Sequence, residues 1–124
     1  MINGFICTNI FTRNSKELTL FYNKTLEIPI IKTDVDDYNG VYLGFIEDAP
    51  LICIWDCIWC NLPSTGPNSF VFVCDNLDDT IVKLKDKGLI LALPKKYEWG
   101  TYELRVNDPD GNEVVIVEYT LKLT

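Results

Sequence analysis

Cys53, Cys57 and Cys60 carry the spacing by which three thiolates hold an iron–sulfur cluster. They are accompanied by Cys7 and Cys74 and by 18 acidic residues, but by no histidine. Without imidazole no Ser-His-Asp set is possible, and a borderline divalent ion would have to be held by thiolates and carboxylates alone. A cluster also needs its thiolates to converge. Ile52, Ile54, Trp55, Ile58 and Trp59 make the segment strand-like, and on a continuous strand Cys53 and Cys57 share a face while Cys60 points away. No cluster is therefore expected. Cys7 and Cys53 remain as a dithiol suited to a soft metal or an arsenical, against the plainer reading of buried thiols packing as small apolar groups. Asp34, Asp36, Asp37, Asn39 and Gly40 approach a calcium loop, yet its glycine position holds Asn39 and its last ligand position Phe45, so a solvated turn explains them.

Composition bounds what such residues serve. A chain of 124 residues, 48% of them hydrophobic, is expected to form a single domain over residues 1–124. No apolar stretch approaches the roughly 20 residues of a membrane span, and the first residues lack the basic-then-apolar order of a signal peptide. An odd count of five cysteines without secretory context reads as reduced thiols, which predicts a cytoplasmic protein. A net charge of −7 disfavours nucleic acid and anionic membrane as partners and suits a neutral or cationic small molecule, although acidity also serves solubility alone.

The chain repeats itself. Asn14 with Glu17 reads as a capping box opening a helix whose apolar face is Leu18, Phe21 and Tyr22. At an offset of 62, Asn76 with Asp79 opens a second helix with apolar face Leu77, Ile81 and Leu84, and Gly88 stops it. Strands are expected at 5–11, 28–32, 41–45 and 51–58, then at 70–74, 89–92, 101–106 and 113–119. Residues 61–68 have linker composition. The expected fold class is α+β: two βαβββ modules, at about 1–60 and about 69–124, forming a curved mixed sheet around a concave cleft.

Three further motifs give that organisation a family. Phe21-Tyr22-x3-Leu26 is similar to a helix ending in Phe-Tyr-x3-Leu-Gly, with Glu27 at the glycine position; Trp99-Gly100 follows, and Asp108-Pro109-Asp110-Gly111-Asn112 precedes the final apolar strand. Together they resemble the vicinal oxygen chelate superfamily of glyoxalases, extradiol dioxygenases and bleomycin-resistance proteins, over nearly the whole chain. The resemblance implies a divalent metal in its enzymes, held by His, Gln and Glu on the first and last strands of each module. The matching positions here are Cys7, Cys53, Ser69 and Val115, and the usual metal site reads as erased. Glu113 and Glu118 are the nearest substitute carboxylates, the first near the turn and the second on the opposite strand face.

Alternation places Phe5, Cys7 and Asn9, Leu51, Cys53 and Trp55, Ser69, Val71 and Val73, and Val115 and Val117 on the inward faces. Trp55, Trp59, Tyr97 and Trp99 add flat surfaces for stacking. The expected function is metal-independent small-molecule binding, similar to bleomycin-resistance and other sequestering members. An aromatic or cationic ligand would meet Cys7, Asn9, Cys53, Trp55, Ser69, Trp99 and Val115 in the inter-module cleft. No cofactor is expected, and the resemblance implies a homodimer. The alternatives are a glyoxalase-type lyase or isomerase, or a dioxygenase, with metal held through Glu113, Glu118 or Cys7, and a scaffold without a small-molecule role.

Overall fold

A computed structural model describes residues 1–121 and divides into two compact units, Met1–Gly66 and a second beginning at Pro67. The first contains β1 (Thr8–Thr12), α1 (Ser15–Leu20), a π-helical turn (Phe21–Thr25), β2 (Ile30–Val35), β3 (Gly40–Leu43), β4 (Ile52–Asp56) and the one-turn helix α2 (Cys57–Cys60). The second contains β5 (Ser69–Val73), α3 (Leu77–Asp86), β6 (Lys95–Tyr97), β7 (Thr101–Asn107) and β8 (Glu113–Tyr119). Each unit is a four-stranded mixed sheet, ordered β1-β4-β3-β2 and β5-β8-β7-β6, in which the first and last strands of the βαβββ module run parallel and the other pairs antiparallel. The fold is α+β. Among the described residues no helix is long and apolar enough to cross a membrane.

One face of each sheet is sealed by its helix. In the first unit Ile10, Val41, Leu43, Ile52 and Ile54 are buried with Leu18 and Tyr22, since α1 packs on β1 and β4. In the second, Leu77 and Leu84 of α3 are buried with Leu104, Val114 and Ile116, since α3 packs on β7 and β8. The two helices start differently. The Asn76 side chain accepts from the Asp79 N–H at 3.0 Å, as a cap should, and the Glu118 carboxylate accepts from the Leu77 N–H at 2.7 Å. At α1 the Asn14 side chain makes no cap bond, so the anticipated capping box does not form; the Asn14 carbonyl instead accepts from the Leu18 N–H.

Several strand boundaries also differ from expectation, β3 among them, which ends at Leu43 and not at residue 45. Residues 89–92 form no strand, because Gly88 at φ +93° ends α3 and the loop that follows leaves Ile90 and Leu93 exposed; the ladder opens only after Pro94, which has no N–H to donate. β4 stops at Asp56, whose carboxylate accepts from the Ile58 and Trp59 N–H groups at 2.9 Å each and so turns 57–60 into a helix. Cys57 and Cys60 therefore leave the strand on which their faces were counted. β1 begins at Thr8, with Phe5 outside it and exposed, and β2 lies two residues later than expected, with two register shifts against β3. Glu27 adopts φ +62°, a left-handed conformation that explains why a glycine suits this position.

Candidate functional site

Strand alternation gives each sheet a second face, turned away from its helix. In the first unit Asn9 lies level with Cys53 and Phe11 with Trp55, while Tyr42 lies opposite Cys53 across β3. This face gathers Cys7, Asn9, Cys53 and Trp55 as alternation required. Asn9 is its hub: Oδ1 accepts from Trp55 Nε1 at 3.0 Å and from Cys7 Sγ at 3.8 Å. The Trp55 ring meets Tyr42 edge-on, with centroids 5.9 Å apart, and Lys32 Nζ lies 5.2 Å from the Tyr42 ring centre. Gly40 is obligatory beneath this arrangement, since a Cβ there would stand 2.6 Å from the Trp55 ring.

The thiols of this face are not primed for attack. Burial first pushes the Cys53 pKa up to about 12, against a lowering hydrogen bond from Tyr42, and the neighbouring Cys7 and Asp34 add to the rise. Burial likewise raises Tyr42 to about 12, helped by Cys53, and raises Cys7. A thiol that keeps its proton is a poor nucleophile at neutral pH.

In the second unit the corresponding face holds Ser69, Val71 and Val73 on β5 beside Glu113, Val115 and Val117 on β8. Across β7, Arg105 lies opposite Val115, and Glu103 lies opposite Val117. A chain of polar contacts crosses the three strands. Ser69 Oγ donates to Glu113 Oε1 at 2.9 Å, and Arg105 donates to the same oxygen at 3.1 Å. Arg105 also donates to Glu103 Oε1 at 3.2 Å, and Thr101 Oγ1 donates to Glu103 Oε2 at 2.6 Å. A hydrogen bond with Tyr97 is the largest of the influences that hold the guanidinium pKa up. The Tyr97 ring stacks on Trp99, with centroids 4.2 Å apart and planes 16° off parallel.

Ser69, Val115 and Trp99 thus fall on or beside this network, Trp99 in the turn closed by the Gly100 N–H to the Tyr97 carbonyl. Sequence reading passed over Tyr42, Glu103 and Arg105, and weighed Glu113 only as a metal ligand. The signal was present: Thr101-x-Glu103-x-Arg105 alternates on one strand as Glu113-x-Val115-x-Val117 does on the next. Glu118 faces the other way, as its cap on α3 requires. Two grooves of the first unit, of about 250 and 350 Å3, are lined by residues such as Ile30, Phe45, Ile58 and Leu62 and hold none of these side chains.

A divalent metal does not fit the positions that the family resemblance assigns to it. Val115 has no donor atom and Ser69 already donates to Glu113, which leaves only the two thiols of Cys7 and Cys53 at these positions. Among the described residues no three His, Cys, Asp or Glu side chains are grouped to hold an ion. Glu113 and Glu103 are not an alternative pair, because the guanidinium of Arg105 already lies between them.

The Asp108 to Asn112 turn is structural. Asp108 Oδ1 accepts from the N–H groups of Asp110 and Asn112 at 2.9 Å each, and Oδ2 accepts from Asn112 Nδ2 at 2.8 Å. Asn112 Oδ1 in turn accepts from the Asn68 N–H at 2.7 Å, and the Asn68 carbonyl accepts from the Glu113 N–H at 2.9 Å. The turn thereby pins β5 to β8 in the register that sets Ser69 beside Glu113.

Comparison with solved structures places this architecture. A lactoylglutathione lyase from Agrobacterium tumefaciens is 16% identical, with a TM-score of 0.72 over 95% of each chain. TnmS3, an antibiotic binding protein from Streptomyces sp. CB03234, is 20% identical, with a TM-score of 0.68 over 96% of this chain and 98% of that one. An integron cassette protein from the mobile metagenome of V. Cholerae is 19% identical, with a TM-score of 0.72 over 96% and 97%. At such identities the likeness is one of fold. No curated protein matches the sequence. The model of the Glyoxalase/Bleomycin resistance protein/Dioxygenase superfamily matches residues 4–116, and the chain belongs to that superfamily.

Proposed function

We propose that the protein binds an aromatic or cationic small molecule without a metal, on the helix-free sheet faces that carry Cys7, Asn9, Cys53, Trp55, Ser69, Trp99 and Val115. The observation that carries this reading is the stacked Tyr97–Trp99 pair: Trp99 is 67% exposed and Tyr97 holds its ring flat, a preformed surface on which a planar ligand can stack. Trp55, fixed by Asn9 and Tyr42, is a second preorganised flat surface. Donor chemistry supports the absence of a metal from the mechanism, and the net charge of −7 favours neutral or cationic ligands over anions. A fold neighbour described as an antibiotic binding protein suggests sequestration, with antibiotic resistance as its use. A homodimer in the reducing cytoplasm completes the reading, in keeping with five unpaired cysteines.

Metal analysis of gently purified protein tests the first half; a stoichiometric Ni²⁺, Zn²⁺ or Fe²⁺ would refute it in favour of a lyase or dioxygenase. A thermal-shift screen of aromatic and cationic compounds tests the second, since a ligand at a hundred times its Kd adds about 2.7 kcal/mol. Trp55→Ala or Trp99→Ala should weaken the compound found, without unfolding the protein. A broad screen without any shift would leave only the scaffold.

A further inference from the structure

We propose that Arg105 is the specificity-determining residue of this binding activity. Its guanidinium, braced by Glu103 and Glu113, receives a carbonyl oxygen of an uncharged planar ligand stacked on Trp99, while Glu113 accepts that ligand's N–H. This inference rests on the binding reading above and narrows its ligand class to aromatic compounds with a carboxamide-like pairing of acceptor and donor.

The outer link of the second sheet's polar chain, Arg105 to Glu113, does little for stability. The Arg105 side chain is 50% exposed and that of Glu113 40%, and ion pairs so open to water are worth little. Nor does the network cap a helix or close a turn, in contrast to Glu118 and Asp108. What it achieves is orientation. Glu103, only 11% exposed, is fixed by Thr101 and holds one arm of the guanidinium, and Glu113 holds the other. A guanidinium has five N–H donors in a rigid fork, so donors remain for a ligand. Ser69 and Arg105 both bond Oε1 of Glu113, and Oε2 is the oxygen assigned to the ligand.

Charge selects among ligands. Glu103 and Glu113 are matched by Arg105 and by Lys95, which lies opposite Glu103 with its Nζ 5.0 Å from the Tyr97 ring centre, so the face has no net charge to draw an anion or a cation, and Arg105 itself repels a cation. A neutral group that presents an oxygen to Arg105 and an N–H to Glu113 satisfies both. The ring of such a ligand has Trp99 and the exposed Val71 and Val73 as apolar surfaces on this sheet.

Three probes of one shape and different charge test the assignment: benzamide, benzoate and benzamidine, titrated into nitrogen-labelled full-length protein and followed by amide, indole and arginine Nε–H chemical shifts. Benzamide is expected to move the Trp99 indole and Arg105 Nε–H signals and to bind more tightly than the other two. Arg105→Met should weaken benzamide about tenfold, the loss of one hydrogen bond to a charged group, and Arg105→Lys should not restore it. Unchanged amide signals from α3, which packs on β7 and β8 on the opposite face of the same sheet, would show that the variants are folded. Tighter binding of benzoate or benzamidine, or benzamide binding unaffected in Arg105→Met, would overturn the proposal. Shifts confined to the Trp55 indole would also overturn it while leaving small-molecule binding intact, and no binding of any of the three would overturn it independently of the wider screen.

Discussion

Asp108→Ala should be among the most destabilising substitutions in the second unit. The carboxylate accepts three N–H bonds, two of them from Asn112, which is 1% exposed, and one from the part-buried Asp110. A bond to a charged group is worth about 1.5–3 kcal/mol, and a buried donor left without a partner forfeits its full desolvation cost. Taking the low end for the two Asn112 bonds, and little for Asp110 because water can replace that partner, gives a loss of about 3–4 kcal/mol. That is a large share of the roughly 5–15 kcal/mol by which a domain is stable. Urea unfolding of the parent, Asp108→Ala, Asn112→Ala and the double variant measures it. Because the two side chains share a bond and act through one turn, the double variant should cost at least about 1 kcal/mol less than the sum of the singles. Amide exchange at Asn68 and Glu113 should quicken in Asn112→Ala, since Asn112 holds the segment that begins β5. A cost below about 1 kcal/mol for Asp108→Ala, or strict additivity, would show that the turn does not depend on this carboxylate.

Three other substitutions follow from the same bookkeeping. Thr19 Oγ1 is buried without a hydrogen-bond partner among the described residues, so Thr19→Val should raise stability by about 1 kcal/mol, read as a melting temperature a few degrees higher. Gly40→Ala should cost about 1–3 kcal/mol and change tryptophan fluorescence, because its Cβ would displace the Trp55 ring that Asn9 and Tyr42 fix. The raised pKa of Cys53 sets a pH dependence. Its folded value of about 12 lies above the ordinary thiol value of 9.0, so the folded state keeps the proton longer; the stability this confers is complete below pH 9.0 and is lost as pH rises towards 12. Cys53→Ala should flatten that alkaline decline in a urea or thermal series, and an unchanged decline would assign it to other groups.

Periodicity made the scaffold legible because its determinants are local. The continuous apolar run Val114 to Val117 after the turn predicted β8 over 113–119 from end to end, and Asn76, three residues before Asp79, capped α3 as such pairs do. The errors arose where a single residue overrode a pattern. Asp56 converts the apolar run 57–60 into a helical turn by accepting two N–H bonds, and exposed Ile90 and Leu93 show that 89–92 lacked a partner to pair with, whatever its strand propensity. The candidate site was half legible. Alternation assigned Asn9, Cys53 and Trp55 to one face, but not the bond from Trp55 to Asn9 across 46 residues, nor that from Ser69 to Glu113 across 44. Such pairs depend on strand register, which one sequence does not specify.

Register also explains how a family signature and a family chemistry come apart in this chain. Asp108 and Asn112 spend their hydrogen bonds on the turn itself and on Asn68, so their work ends at aligning β5 with β8. That alignment brings residues 69, 105, 113 and 115 together whatever their side chains are. With His and Glu at the family's positions the aligned strands would present metal ligands; with Ser69, Arg105, Glu113 and Val115 they present a fixed guanidinium between carboxylates. The turn sets the alignment by its own hydrogen bonds, and the side chains on the aligned face decide separately what that face can hold.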